Sequence, residues 1–240
     1  MLKLSRRIST PEGKRDYVRA LFAKIADRYD LVTVLLSYGQ DRRWKRRLVH
    51  RALPLTSRRV LDLATGTGDI AHALHRHGVH VIGIDVTPRM IELARAKAPA
   101  DSPGLAFLVG DMMALPFANE TFDLVTTGYG LRNAPDLSTA IDEIHRVLRP
   151  GGYLLSLDFD RPNGRLMRAV YLRYLAVVGG VLGFVLHRDS ATYRYIPASI
   201  RGYPGGPAVA AMLSARGFDL AHHVPVFGGL MAFHHARKAR

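Results

Sequence analysis

The 240-residue chain has no cysteine. That absence excludes disulfide frameworks, thiolate zinc sites and a cysteine nucleophile, so any chemistry must use oxygen, nitrogen or a borrowed cofactor. No uncharged apolar run reaches the roughly 20 residues that a spanning helix needs. The longest, Tyr174 to Leu186, is expected to line a pocket or touch a bilayer surface without crossing it. Behind Lys3, Arg6 and Arg7 there is no apolar stretch of the kind a secretory signal requires, so the expected location is cytoplasmic. Acidic residues are also scarce: 20 stand against 34 basic ones, a formal charge of +14. Such a charge draws a chain toward any polyanion, nucleic acid and anionic lipid alike. The basic residues gather at Lys3 to Arg15, Arg42 to Arg47, Arg58, Arg59, Arg237, Lys238 and Arg240, and part of the excess reads as a solvated surface.

What is present, from about residue 60 to the end, is an alternation of short apolar runs with helical periodicity, and no repeat. This is the pattern of an α/β fold in one domain of this length. Strands are expected at Arg59–Leu63, Val79–Ile84, Leu105–Val109, Phe122–Thr127 and Tyr153–Phe159, with Arg149-Pro150-Gly151-Gly152 as the break before the last of these. Helices are expected from Asp69 to about His77, over Arg89–Ala98 and Asp136–Leu148, and near Ala208–Arg216. Two final strands, about Asp219–Val226 and Leu230–His235, would pair as a hairpin across Phe227-Gly228-Gly229. Residues 1–55 read as an N-terminal helical segment and 163–207 as a lid-like insertion. His72, His75, His77 and His80 lack fixed carboxylate company, and no metal site is read there; they are expected on a solvated helix and turn.

The chemistry-bearing residues follow the strands. Gly66, Thr67 and Gly68 form a glycine-rich turn after the first strand, and Asp85 ends the second, where an acidic side chain can bind two ribose hydroxyls. A dinucleotide site uses a related arrangement. Here, however, Asp62 and Asp69 bracket the turn, which disfavours a pyrophosphate and suits the cationic amino group and sulfonium of S-adenosylmethionine. Gly110-Asp111-Met112 follows the third strand, so that Asp111 can accept from an adenine amino group and Met112 can pack on the ring.

With these residues in order, the chain resembles the ubiquinone and menaquinone biosynthesis C-methyltransferases over nearly its full length. The resemblance is carried by Tyr29-Asp30, Leu36-Ser37-Tyr38-Gly39, Trp44-Lys45, Val60 to Asp69, Asp111 with Ala114 to Phe117, Phe122-Asp123, Gly130-Leu131-Arg132-Asn133, Arg146 to Gly152, Tyr193 to Pro197 and Ser199-Ile200. The glycine loop and the Arg-Pro-Gly-Gly turn are common to many class I methyltransferases; the other segments are more particular. The resemblance implies the doubly wound, mostly parallel Rossmann-like sheet closed by an antiparallel hairpin, and cofactor contacts on Thr67, Asp85, Asp111, Met112 and Gly128. It departs from the family at Gly128, where serine is frequent, at Val32 and Thr33 in place of Met-Asn, and at Asp41 in place of histidine.

An aromatic carbon accepts a methyl group only when a neighbouring hydroxyl is ionised, and a nearby cation lowers that hydroxyl's pKa. Arg132 is the expected cation, with a structural salt bridge as its alternative, and Asn133 is placed to orient the same oxygen. Asp158 reads either as a proton acceptor or as a turn-stabilising carboxylate, and Tyr29 either as a cover for the reacting centre or as core. The expected acceptor is a lipophilic prenyl quinol, with peripheral membrane contact through Leu166 to Leu186 and the arginines of 42–47. A homodimer is allowed, and no nucleic acid is expected, since no recognition signature accompanies the charge. The rivals are a methyltransferase for another lipophilic acceptor such as a phenol, sterol or polyketide, an RNA-binding protein, and an inactive cofactor-binding protein.

Overall fold

A computed structural model describes residue 4 and residues 8–37, 39–55, 59–162 and 164–240. Lys3, Arg6, Arg7, Tyr38 and Arg58, named above, lie outside the described residues, as does residue 163, the first of the expected insertion. The N-terminal segment forms α1 (Pro11–Ile25), α2 (Tyr29–Leu36) and α3 (Asp41–Ala52). Thr10 starts α1, its hydroxyl accepting from the Gly13 N–H at 3.1 Å with Pro11 in the first turn. The body then alternates β1 (Arg59–Leu63), α4 (Asp69–His75), β2 (His80–Asp85), α5 (Pro88–Lys97), β3 (Leu105–Val109), β4 (Phe122–Gly128), α6 (Leu137–Val147) and β5 (Leu148–Phe159). Asp136 caps α6 by accepting from the Ser138 and Thr139 N–H groups, and Ala140, Ile141, Ile144 and Val147 form its buried stripe.

The sheet runs β3-β2-β1-β4-β5-β7-β6. The first five strands are parallel; β7 (Met231–Lys238) enters antiparallel between β5 and β6 (Phe218–Val226). The expected hairpin forms, and its second strand, not its first, joins the parallel sheet. One expectation is corrected. Arg149 to Gly152 belong to β5 itself, which begins at Leu148. Phe122 pairs with Leu148 and Leu124 with Tyr153, so the intervening residues bulge opposite Asp123, with Gly151 at φ +79°.

Two core layers cover the two faces of the sheet. One joins Leu48, Val49 and Trp44 of α3 to Ile70, Leu74, Leu155, Leu157 and Phe233; the other joins α6 and α9 (Gly206–Ser214) to Leu61, Val125 and Leu154. A third cluster packs α1 and α2 on Tyr193 and Tyr195. Beyond β5 lie α7 (Arg165–His187) and α8 (Tyr195–Gly202). The α7 helix has 23 residues, longer than the uncharged run Tyr174 to Leu186 that it contains, and by length and composition alone it is long and apolar enough to cross a membrane. The helix reaches back to Arg165 because only single arginines interrupt the apolar residues before Tyr174. His72 also departs from expectation: it is buried, its Nε2 lying 3.0 Å from the Ala94 carbonyl oxygen and its ring against Phe107.

Candidate active site

The parallel strands end on one edge, and the turns that leave it build a cavity. Ala64 and Gly66 come from the β1 turn, Asp85 from β2, Asp111 and Met112 from the β3 turn, and Gly128 and Tyr129 from β4; Arg15, Val18 and Phe22 of α1 close the top. Gly66 adopts φ +56°, and its N–H donates to Asp85 Oδ2 at 3.0 Å. The Thr87 N–H donates to Asp85 Oδ1 at 2.8 Å. Two backbone donors thus fix a carboxylate in the cavity wall, and burial raises its pKa against their pull. Asp111 is fixed the same way, Oδ1 accepting from the Met113 N–H at 2.9 Å. At Gly128 a Cβ would fall 2.7 Å from Ile70 Cδ1, so glycine there keeps the wall thin.

Three residues expected at this cavity lie under or beside it. Asp62 is fully buried beneath the turn, accepting from the Thr65 and Thr126 hydroxyls at 2.6 and 2.7 Å. Gly68, at φ +84°, lets the chain enter α4. The Thr67 hydroxyl is spent on a latch, donating to Asp30 Oδ1 at 2.6 Å and accepting from Lys97 Nζ at 2.8 Å. These residues shape the turn and tie it to α2.

A second cavity lies alongside, and Phe22, Tyr29, Tyr129 and Asn133 border both. Its other walls include Leu21, Ile25, Val32, Leu36, Trp44, Phe159, Tyr193, Tyr195 and Ile196, and Arg132 is the one charged side chain among the described residues lining it. Arg132 is 5% exposed. Its Nε lies 3.3 Å from Asp158 Oδ1, its backbone N–H donates to Asp158 Oδ2 at 2.9 Å, one amino group donates to the Ser199 hydroxyl, and the guanidinium stands 5.0 Å from the Phe159 ring centre. Asp158 borders neither cavity; burial raises its pKa while Arg132 and two backbone N–H donors counter it. Asn133 Nδ2 donates to the Tyr129 carbonyl at 2.8 Å, and its Oδ1 accepts from the Tyr195 hydroxyl at 3.1 Å. Tyr29 is half-buried, and desolvation raises the pKa of its hydroxyl.

Some wall residues escaped the sequence reading. Arg15, Val18 and Phe22 carry no motif; only the amphipathic spacing of α1 marks them. Lys14 is another: Nζ donates to the Arg132 and Ala134 carbonyls at 3.1 and 2.6 Å, pinning α1 over the Leu131–Asn133 turn, and burial pushes its ammonium down to about 8.

The geometry is that of two adjoining cavities, one edged with fixed carboxylates and one mostly apolar with a single guanidinium. The model of the ubiE/COQ5 methyltransferase family matches residues 10–238 of the chain. The chain belongs to this family. It is similar to a demethylmenaquinone methyltransferase of Thermus thermophilus, 42% identical over 87% of this chain and 96% of that one. It is also similar to a ubiquinone/menaquinone biosynthesis C-methyltransferase of Geobacter sulfurreducens, 38% identical over 91% and 87%. Among solved structures, a SAM-dependent methyltransferase of Thermotoga maritima superposes with a TM-score of 0.63 at 17% identity, covering 92% of this chain and 99% of that one. At that identity the match speaks to the fold. As a family member the chain is an S-adenosylmethionine-dependent methyltransferase, and the first cavity fits that donor: Asp85 suits ribose hydroxyls, Asp111 an adenine amino group, and the wall's carboxylates a cation.

Proposed function

We propose that this methyltransferase acts on a ring carbon of a demethylated prenyl quinol, of the naphthoquinol or benzoquinol kind, in quinone biosynthesis. The observation that carries this reading is the second cavity, mostly apolar and bearing Arg132 as its one charged lining residue among the described residues. When bound, S-adenosylmethionine supplies an electrophilic methyl group on a sulfonium. Arg132 favours the ionised form of a ring hydroxyl, whose proton is given up to water as the acceptor enters, and this makes the neighbouring carbon nucleophilic. The sulfur–methyl bond breaks as the carbon–methyl bond forms, S-adenosylhomocysteine leaves, and the proton on the ring carbon passes to the ring oxygen, restoring the aromatic quinol. Asn133, held from both ends, orients the same oxygen. Phe22, Tyr29 and Tyr129 exclude water where the cavities meet. Asp158 balances the guanidinium from behind.

The long tail of such a substrate lies in a bilayer, and α7 supports peripheral contact there. Leu166, Val170, Val177, Val181, Phe184 and Val185 are all exposed along it, and no acidic residue falls between Asp160 and Asp189 while Arg165, Arg168, Arg173 and Arg188 do. The opposite face is occupied: Gly179 and Gly183 pack on Tyr193 and Asp189, and Leu172 and Leu175 pack near Ile200. A spanning placement would bring Arg173 toward the membrane interior at a cost of about 2.5–3.5 kcal/mol and strip these contacts. A helix lying in the headgroup region keeps them and lets the arginines reach phosphates. A homodimer would use the same bare face.

Incubation of the purified protein with labelled S-adenosylmethionine, demethylated quinols and an RNA control tests the acceptor. Transfer to a quinol is expected; cofactor binding without transfer to any quinol refutes the reading. Flotation with anionic vesicles tests the contact, which Val177→Glu with Val181→Glu is expected to abolish. Unchanged flotation refutes it, as does a double variant that merely turns a dimer into a monomer.

A further inference from the structure

Tyr129 stands between Gly128 and Gly130, yet it is the tyrosine that takes a left-handed backbone, φ +64°. A bulky residue holds that conformation only when its surroundings over-determine it. Here the backbone is held by its N–H donating to the Leu157 carbonyl at 2.7 Å. The side chain is held by its hydroxyl donating to Asp41 Oδ1 at 2.8 Å. Between those anchors the ring borders both cavities.

Asp41 touches neither cavity. It opens α3, is 2% exposed, and its Oδ2 lies 2.8 Å from Lys45 Nζ. Lys45 reaches on to Asp69 Oδ2 at 2.9 Å, at the start of the helix that follows the glycine turn. Burial alone would lower the Lys45 ammonium, but the Asp41 and Asp69 carboxylates outweigh it and hold it charged. A buried carboxylate with a permanent cation behind it presents an oxygen with few other orientations, and the Tyr129 hydroxyl occupies it.

We propose that Asp41, backed by Lys45, is a positioning residue that fixes the Tyr129 ring as the wall between the donor and acceptor cavities. Released from Asp41, the ring is free to leave the wall, and cofactor binding must then order it again. This inference rests on the donor cavity; its turnover arm also rests on the proposed acceptor.

Calorimetry of S-adenosylhomocysteine binding to the full chain tests it without an acceptor. Tyr129→Phe removes the one hydroxyl and leaves Asp41 paired with Lys45, and Asp41→Asn keeps an oxygen at the position. Each is expected to weaken binding about tenfold, the scale of one hydrogen bond to a charged group, and the double variant to be no weaker than Tyr129→Phe alone. With a quinol that the native protein methylates, Tyr129→Phe should also lower kcat at saturating donor while leaving the acceptor KM within about twofold. Native affinity in Tyr129→Phe overturns the proposal. So does a double variant whose loss is the product of the two single losses, because Asp41 would then act by another route. Should Asp41→Asn fail to fold, the Tyr129→Phe titration still decides. A native protein inactive on every quinol refutes the acceptor and leaves the binding result standing.

Discussion

Asp62 offers a sharp test of the electrostatics under the glycine turn. The side chain is wholly buried, and its two oxygens accept from Thr65 and Thr126. Burial raises its carboxyl from 3.8 to about 6, against the pull of those hydroxyls and of Lys45. A carboxyl with a raised folded pKa binds its proton more tightly in the folded chain. Its contribution to stability is therefore greatest below the unfolded value and is lost as pH rises through about 6. Two pKa units correspond to about 3 kcal/mol. Asp62→Asn cannot ionise, and the Thr65 and Thr126 hydroxyls can rotate to suit an amide. The stability of Asp62→Asn minus that of the native chain should thus rise by about 2.5 kcal/mol between pH 4 and pH 7, most of the full shift, read from urea titrations at several pH values. Taking the difference cancels the other titrating groups. A difference that stays flat across this range would mean that Asp62 is ionised as readily in the folded as in the unfolded chain, and the reasoning would fail.

The buried His234 works in the opposite sense: burial pushes it down to about 4, so its stabilising influence is present above the unfolded value and is lost as pH falls from 6.5 through 4, by about 3 kcal/mol. His234→Gln should flatten that acid limb in the same urea titrations. Arg132→Met leaves Asp158 charged and unpaired, which should cost about 3–5 kcal/mol of stability and about 100-fold in turnover. Adding Asp158→Asn should restore much of the stability and none of the turnover, as thermal melts and the methyl-transfer assay would show. Gly130→Ala would bring a Cβ onto the Thr127 hydroxyl and within 2.9 Å of Ala64 Cβ. A loss of about 1–3 kcal/mol with weaker S-adenosylhomocysteine binding is expected, and a native melting temperature would count against it.

The strands and their order along the chain were legible because each is a short apolar run closed by a turn residue. Asp85 and Asp111 were legible because they sit where those runs stop. What could not be read is whatever depends on packing across sequence distance. Nothing local in Asp62 distinguishes a carboxylate under the turn from one in it. Thr67 follows Gly66 as a cofactor contact would, but Asp30 and Lys97, 37 and 30 residues away, take its hydroxyl. Asp41 stood out only as a departure from a resembling family, with its partner Tyr129 lying 88 residues on. The break read at Arg149 to Gly152 is a bulge because glycine and proline mark irregular strand starts as readily as loops.

The distribution of charge around the two cavities narrows what the acceptor can be. Among the described residues no carboxylate and no histidine lines the acceptor cavity, so no side chain there can take a proton directly. An amine acceptor is charged in water and would have to shed a proton on entry, beside a guanidinium that repels it. A sterol hydroxyl is too weakly acidic for one cation to ionise. A ring hydroxyl with a phenol-like pKa near 10 needs only a few units of help, which a buried guanidinium can supply. Asp158 limits that help, since a bare guanidinium would bind the phenolate and the methylated product alike, whereas one already paired responds mainly to the additional negative charge. On the proposed reading, the arrangement selects acceptors that carry their own acidic hydroxyl next to the carbon to be methylated. This is why the acceptor cavity can remain apolar everywhere except at Arg132 and a few neutral hydroxyl and amide groups.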